Sequence, residues 1–444
     1  MWIHSIKVNI LHINASDVSG GAARAAYRIH QSISGYSSSH GVCSRMRVID
    51  KKTDDPSVIG GSASCQSKLQ LGIQPHITRL ARLAFRTNNP TLHSLAWPDT
   101  GLGKELNDCW GTCKSNLLHL HWMGDCTLSV EEIGQLRPPL VWTLHDQWAF
   151  CGSEHYVNPP PPGESLSRDQ RFMDEYIPSS RPHHERGFDL NRITWQRKFR
   201  AWQRPIQIVC PSRWLAECAR KSSLMAGWPI SEIPNPIDLC TWAPFDKAKA
   251  RSLLQLPQHC QLVLFGADYG TLDPRKGADL LFEALQILVS KVADTPLEGL
   301  ELLVFGQGRP DQVQSLGFPV RFMGKHSDDF SLRLLYSAAD VFIIPSRQDN
   351  LPNTGLEAHA CGTPVVAFST GGLVDIVDDR VTGALAEAFD PFSLAECIRW
   401  VLDEQIRNPR LGFAARKRAE RLWNPDRVGR LYMDVYSKVL AENF

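Results

Sequence analysis

At 444 residues the chain is long enough for roughly two or three domains, and 43% hydrophobic against 21% charged residues supports full cores rather than disorder. A formal net charge of +1 excludes the broad basic excess of a dedicated nucleic-acid binder, so no nucleic-acid partner is expected. Twelve cysteines are scattered singly without a C-x-x-C pair, which argues for reduced thiols in a cytoplasmic protein rather than a disulfide scaffold.

The opening MWIHSIKVNILHI lacks a charged region followed by a long apolar core, so no signal peptide is expected. No window of about 18 apolar residues suggests a membrane span. Lys7–Ile13 reads as a parallel strand, followed by a loop that meets a helix at Gly20-Gly21, with Ala22, Ala25, Ala26 and Ile29 at helical spacing. Two glycines there would let backbone approach a ligand, although such a pair is also an ordinary turn. The dinucleotide fingerprint G-x-G-x-x-G is absent. Cys43–Ile49 is a second strand. Residues Ser67–Arg86 carry Leu and Ile at helical spacing with Arg79, Arg82 and Arg86 between them. That pattern fits an amphipathic surface helix with a solvated basic face, or a peripheral contact with an anionic membrane at its inner face.

Leu117–Trp122 and Leu140–Asp146 are further strands that end in histidines. Strand ends are where doubly wound sheets keep functional side chains. Of His119 and His121, alternation sends at least one into the core or beneath a helix. Cys109, Cys113, Cys126 and Cys151 match no structural zinc spacing, and no metal site is assigned. A polar excursion from Gly152 to about Arg192 is too long for an ordinary connection. A basic helix follows at Arg192–Arg204, and Ile206–Cys210 closes the N-terminal sheet. Prolines 229, 234, 236 and 244 then mark an interdomain linker.

The second half repeats the β–α alternation, with strands expected at 262–265, 302–305, 320–323, 341–344, 365–368 and 383–386. Arg275 and Lys276 stand just before a helix N-terminus, where cations are unfavourable unless an anion lies between. The stretch DVFIIPSRQDNLPNTGLEAHACGTPVVAF reads as strand, loop, helix, strand. Thr354 and Glu357 have the spacing of a capping box. Amides of Asn353, Thr354 and Gly355 at that helix start suit a phosphate. Asp349 and Glu357 lie eight residues apart, and a carboxylate suits a vicinal diol because two oxygens accept from two hydroxyls. The plain alternatives are that Glu357 caps its own helix and that Asp349 is a solvated loop acid. Pro425–Asn443 is an amphipathic helix with Val428, Leu431, Tyr432, Val435, Tyr436 and Val439 on one face.

The segment PSRQDNLPNTGLEAHACGTPVVAF resembles the signature of glycosyltransferase family 4, with Asp349 where the family usually has Glu. WTLHDQWAF resembles a stretch of a family-4 subset of bacterial surface-polysaccharide enzymes, and IPNPID resembles the family's IPNGID with Pro236 for Gly. The resemblance implies the GT-B fold, two Rossmann-like doubly wound α/β domains facing an interdomain cleft. It divides the chain into an acceptor-side domain at 1–228, a linker at 229–245, a nucleotide-sugar domain at 246–424 and a helix at 425–444 that crosses back to the first domain. It further implies that Glu357 holds the ribose and Asp349 the donor sugar. Lys276 and Arg275 would grip the diphosphate with the amides of Asn353, Thr354 and Gly355. Gly20-Gly21 would face the donor phosphates and His145 the donor sugar.

His145, Asp349 and Lys276 form the expected catalytic set. Many family members carry an Arg about six residues before the Lys, where this chain has Gly270. The expected activity is transfer from a nucleotide-diphosphate sugar to a glycan or polyprenyl-diphosphate-linked acceptor, retaining the anomeric configuration. Neither cofactor nor metal is expected, because amides, a helix dipole and Lys276 can stabilise the departing diphosphate. A GT-B nucleotide-sugar epimerase and a non-catalytic sugar-nucleotide sensor are the competing readings; the sensor would bind donor without transferring or hydrolysing it.

Overall fold

The computed structural model describes residues 8–61, 80, 83–86, 92–109, 115–124, 127–157, 170–183, 185–267, 273–291, 299–306, 319–326, 328–408 and 410–442. Most of the Ser67–Arg86 segment, Cys113, Cys126 and Gly270 lie outside them. The chain divides into two compact units, Met1–Asn235 with Asp426–Phe444, and Pro236–Pro425.

The N-terminal unit is built on a seven-stranded sheet. Its strands are β1 (Asn9–Ser16), β2 (Cys43–Asp50), β3 (Val58–Ile59), β4 (Leu117–Leu120), β5 (Leu140–Thr143), β6 (Gln207–Cys210) and β7 (Ile230–Glu232). They run parallel in the order β3-β2-β1-β4-β5-β6-β7. Ile206–Cys210, expected to close this sheet, is followed by one more strand inside the proline-marked segment. Pro229 stands immediately before β7 at the sheet edge, where its missing N–H costs no ladder bond. A separate two-residue antiparallel pairing joins Phe85–Arg86 to Arg186–Gly187, so Arg86 is extended rather than helical.

The C-terminal unit has six parallel strands, β8 (Gln261–Ala267), β9 (Leu300–Gly306), β10 (Val320–Gly324), β11 (Val341–Ile344), β12 (Val365–Phe368) and β13 (Gly383–Ala386). Their order is β10-β9-β8-β11-β12-β13, the doubly wound order 3-2-1-4-5-6. The apolar runs bury both faces. Leu262, Leu264, Phe342, Ile344 and Val365 enter one core, and Val263, Phe265, Val341, Ile343 and Val366 enter the other. Period-2 alternation under helices on both sides produces this split.

The same alternation organises the N-terminal sheet. Leu118, Trp142 and Ile208 face one core, while Ile10, Leu117, Val141 and Val209 face a second. The helix Pro425–Glu442 covers that second face with Val428, Tyr432, Tyr436, Val439 and Leu440.

Candidate functional site

In both units the strand order reverses beside the first strand of the sheet, between β1 and β4 and between β8 and β11. Crevices at such switch points are where open α/β sheets bind ligands. The residues expected to act lie just beyond these strands.

After β8 the chain makes a single 3-10 turn, Pro274–Lys276, with Asp273 as its cap. Gly277 then takes φ +66°, and an added Cβ there would come within 1.9 Å of Pro345 O. Only glycine allows this approach, which sets Lys276 against the loop leaving β11. Lys276 Nζ donates to Asp349 Oδ2 at 2.6 Å. Arg275 Nη1 stands 3.6 Å from Asp349 Oδ1, and Ser346 Oγ donates to Oδ2 at 3.2 Å. Arg275 also donates to Gln348 O at 3.0 Å and pairs with Asp273 at 3.0 Å.

Asp349 is buried, so it is no solvated loop acid. Burial alone would raise its pKa, but Lys276 and then Arg275 hold it below the ordinary carboxylate value. Desolvation pushes Lys276 downward, opposed by Asp349. Lys276 and Arg275 thus meet on one buried carboxylate, where an arriving anion can compete with Asp349 for both cations.

The helix expected to begin with a Thr354–Glu357 box starts instead at Asn353, with Pro352 as N-cap and no side-chain cap bond. Thr354 is therefore inside the first turn, too late to cap. Glu357 is released from that duty; it is buried and accepts from Tyr336 Oη at 3.2 Å. The amides of Asn353 and Thr354 lie in the first turn of this helix, at its positive end. That of Gly355 already donates to Pro352 O at 3.0 Å. What Gly355 provides is room, since a Cβ there would lie 2.8 Å from Ile376 and 2.9 Å from Ile344.

In the N-terminal unit Gly20 and Gly21 are exposed where the loop after β1 enters the helix Gly21–His40, with Gly20 at φ 87° as its N-cap. Asp17 orders that loop by accepting from Val18 N, Lys52 N, Thr53 N and Thr53 Oγ1. His145 follows β5. Its Nε2 lies 3.2 Å from His121 Nδ1, and burial in protein lowers its pKa to about 4 despite the nearby Asp146. Asp146 is engaged elsewhere, with Trp122 Nε1 at 2.8 Å, Trp148 N at 2.9 Å and His155 at 2.6 Å.

Sequence reasoning missed His12. It pairs in register with His119 across β1 and β4, and its Nδ1 lies 2.9 Å from His121 Nε2. Strand alternation was the available signal, since His12 is two residues past Ile10, His119 two past Leu117 and Thr143 two past Val141, all on one face. Among the described residues, His12, His119 and His121 are the group whose nitrogens lie close enough to hold a metal, within 4.8 Å of one another. Those nitrogens are largely committed. His119 bonds Tyr436 Oη at 2.7 Å and Thr143 Oγ1 at 2.8 Å, and His121 uses both nitrogens on other histidines.

The model of the family described as Glycosyl transferases group 1 matches residues 262–404. Over those residues the chain is similar to the group 1 glycosyl transferases. It is 34% identical over 223 residues to a D-inositol 3-phosphate glycosyltransferase of Xylanimonas cellulosilytica, covering 47% of this chain and 51% of that one. The chain therefore spans about half the length of the curated relatives it matches. Sucrose-phosphate synthase from Thermosynechococcus elongatus superposes with TM-score 0.65 at 20% identity, covering 98% of this chain and 100% of that one. Anabaena HepE, solved with UDP and glucose, gives 0.59 at 17% identity over 97% and 100%. These likenesses show the fold, GT-B.

Proposed function

We propose that this group 1 glycosyltransferase moves a sugar from a nucleotide-diphosphate sugar to a glycan or lipid-linked acceptor in cell-surface polysaccharide synthesis. The observation that carries the reading is the buried Lys276–Asp349–Arg275 cluster at the switch point of the C-terminal sheet. A diphosphate entering there takes over Lys276 and Arg275. Asp349 is thereby freed of part of its compensation and can accept from sugar hydroxyls. Glu357, held by Tyr336, accepts from the ribose hydroxyls. The first-turn amides of Asn353 and Thr354 add donors and the positive end of a helix dipole. HepE, whose structures hold UDP and UDP-glucose, supports a nucleoside diphosphate sugar as donor class. WaaG, a lipopolysaccharide glycosyltransferase with TM-score 0.58, supports a cell-surface glycan as product class.

In this reading the N-terminal unit supplies His145 toward the donor sugar and Gly20-Gly21 toward its phosphates. Among the described residues, this reading assigns none as a covalent nucleophile or as a base opposite the leaving group. The departing phosphate oxygen therefore takes the acceptor's proton while Lys276 and the amides stabilise its charge. Attack and departure share a face, so configuration is retained. Charge neutralisation by Lys276 and Arg275 makes the reaction independent of a divalent cation.

The test is to incubate the protein with uridine, guanosine and adenosine diphosphate sugars and a lipid-linked acceptor, with EDTA present. Proton NMR of the first glycoside formed should show the donor's own anomeric configuration. An inverted first product would contradict the front-face route. Binding of one donor with neither transfer nor slow hydrolysis would favour a sugar-nucleotide sensor.

A further inference from the structure

The loop that leaves β11 and the turn that follows β8 are tied together residue by residue. Pro345 O sits against Gly277, where a Cβ would come within 1.9 Å. Arg275 Nη1 donates to Gln348 O at 3.0 Å, and Lys276 Nζ reaches Asp349. Between these contacts stands Arg347, to which neither the sequence pattern nor the resemblance gives a role. Its backbone N–H donates to Arg275 O at 2.8 Å. Its guanidinium donates from Nη1 to Pro274 O at 2.7 Å and to Asp279 Oδ1 at 2.8 Å, and from Nη2 to Asp279 Oδ2 at 2.5 Å.

The geometry of the fork explains why an arginine stands there. Nη1 carries two N–H groups, so it serves a carbonyl and a carboxylate oxygen at once, while Nη2 completes the bidentate pair. A lysine ammonium could point at Pro274 O or at Asp279 but could not hold that planar arrangement. Asp279 lies in the first turn of the helix Ala278–Lys291, where the helix dipole favours a carboxylate. The two carbonyls that Arg347 holds belong to Pro274 and Arg275, so the peptide planes on both sides of the Arg275 Cα are fixed. An ion pair whose Asp279 side chain is 57% exposed adds little to global stability. What it sets is position.

We propose that Arg347 and Asp279 are positioning residues: they clamp the Pro274–Lys276 turn onto the loop after β11 and so preset Lys276 and Arg275 for a diphosphate, without touching that ligand themselves. The clamp rests on geometry inside the C-terminal unit, and its effect on a diphosphate rests on the function proposed above. Misplacing a binding group by about 1 Å forfeits a large part of its contribution, so a loosened turn is felt at Lys276 before it is felt in the fold.

A direct role and a positioning role differ in sign at Asp279. Were Arg347 itself a phosphate ligand, removing Asp279 would release its guanidinium and take a negative charge from the neighbourhood, so a diphosphate would bind more tightly. For a clamp, the same change frees one end of the fork, and a diphosphate binds more weakly.

The experiment is calorimetric titration of the full chain and of Arg347→Ala, Arg347→Lys and Asp279→Ala with uridine, guanosine and adenosine diphosphates and with the three nucleosides. Amide hydrogen exchange over 273–279 and 345–349 and the thermal unfolding midpoint are read beside it. For the diphosphate that binds the wild type, affinity should fall by about tenfold in Arg347→Ala, about fivefold in Arg347→Lys and about threefold in Asp279→Ala. The matching nucleoside should bind each variant within about twofold of wild type, because the ribose contact does not pass through the turn. Midpoints should stay within about 2 °C, while exchange in both segments should rise by about tenfold in Arg347→Ala. Tighter diphosphate binding by Asp279→Ala, or unchanged affinity in folded Arg347→Ala, overturns the proposal. So does an equal loss of nucleoside and diphosphate, which would make Arg347 a general support of the site. If no nucleoside diphosphate binds the wild type, the function proposed above fails and exchange still decides the clamp: a rise in both segments keeps it but strips it of a role toward a diphosphate, and unchanged exchange in folded Arg347→Ala overturns it.

Discussion

The two sheets share one topology around the switch point but equip it with opposite electrostatics. Beyond β8 and β11 lie two cations around one buried carboxylate, an arrangement that keeps charge ready in a desolvated place. At the ends of β1, β4 and β5 lie histidines stripped of charge by burial, offering fixed donors and acceptors instead. A charged cluster suits a leaving diphosphate, whereas neutral rings suit hydroxyls. The same crevice therefore serves either task according to which residues follow the strands.

The largest effect should come from removing the charge. Lys276→Ala should lower turnover by about 10²–10³-fold, the usual loss of one stabiliser of developing negative charge. Steady-state kinetics with the preferred donor would check it, and near-normal turnover would erase the contrast between the units. Glu357→Ala should weaken nucleoside diphosphate binding by about 10–100-fold, as expected for losing hydrogen bonds to a charged acceptor. Calorimetric titration reads this, and Tyr336→Phe should cost less because it only orients the carboxylate.

Acid should separate the units next. His30 and His145 have folded pKa values near 4 against 6.5 unfolded, and His12, His119 and His121 lie well below their ordinary value. Between pH 6.5 and 4 the unfolded chain thus binds protons that the folded one refuses, so stability falls as the pH drops. Glu185, raised to about 7, and Glu154, raised by burial, work in the opposite sense but are two groups against five. In the C-terminal unit His359, lowered to about 3, is the buried histidine with such a shift among the described residues. Hydrogen exchange at pH 7 and 5 should show protection of β1, β4 and β5 falling by about tenfold or more, with β8, β11 and β12 changing less. Equal loss in both sheets would contradict the assignment. The smallest effect is an expected constancy: under the proposed function, which gives His145 a role toward the sugar, His145→Ala should leave nucleoside diphosphate affinity within about twofold while lowering turnover.

Much of this was legible in the sequence where the signal is local. Most strands of the C-terminal sheet announce themselves as short apolar runs, as strands buried on both faces must, the half-exposed edge strand Val320–Gly324 with its Arg321 being the exception. Asp349, Glu357 and Lys276 were recognisable as a set by resemblance. Their meeting was not, because the 73 residues between Lys276 and Asp349 are brought together by sheet order, which no local pattern encodes. The capping box was misread for a local reason: Pro352 preset the turn and moved the helix start to Asn353, one residue ahead of Thr354. β7 was hidden by prolines that forbid a helix but tolerate an edge strand. His12 stayed unseen because one buried histidine on a strand looks like any other until register sets it beside His119.

The most direct measurement is a titration of wild type and Lys276→Ala with uridine, guanosine and adenosine diphosphates, followed by the thermal unfolding midpoint. One of the three should raise the wild-type midpoint by several degrees at saturating concentration, and the same nucleotide should leave Lys276→Ala nearly unmoved. If none shifts the wild type, or if one shifts both proteins equally, the charged switch point of the C-terminal unit is not a nucleoside diphosphate site.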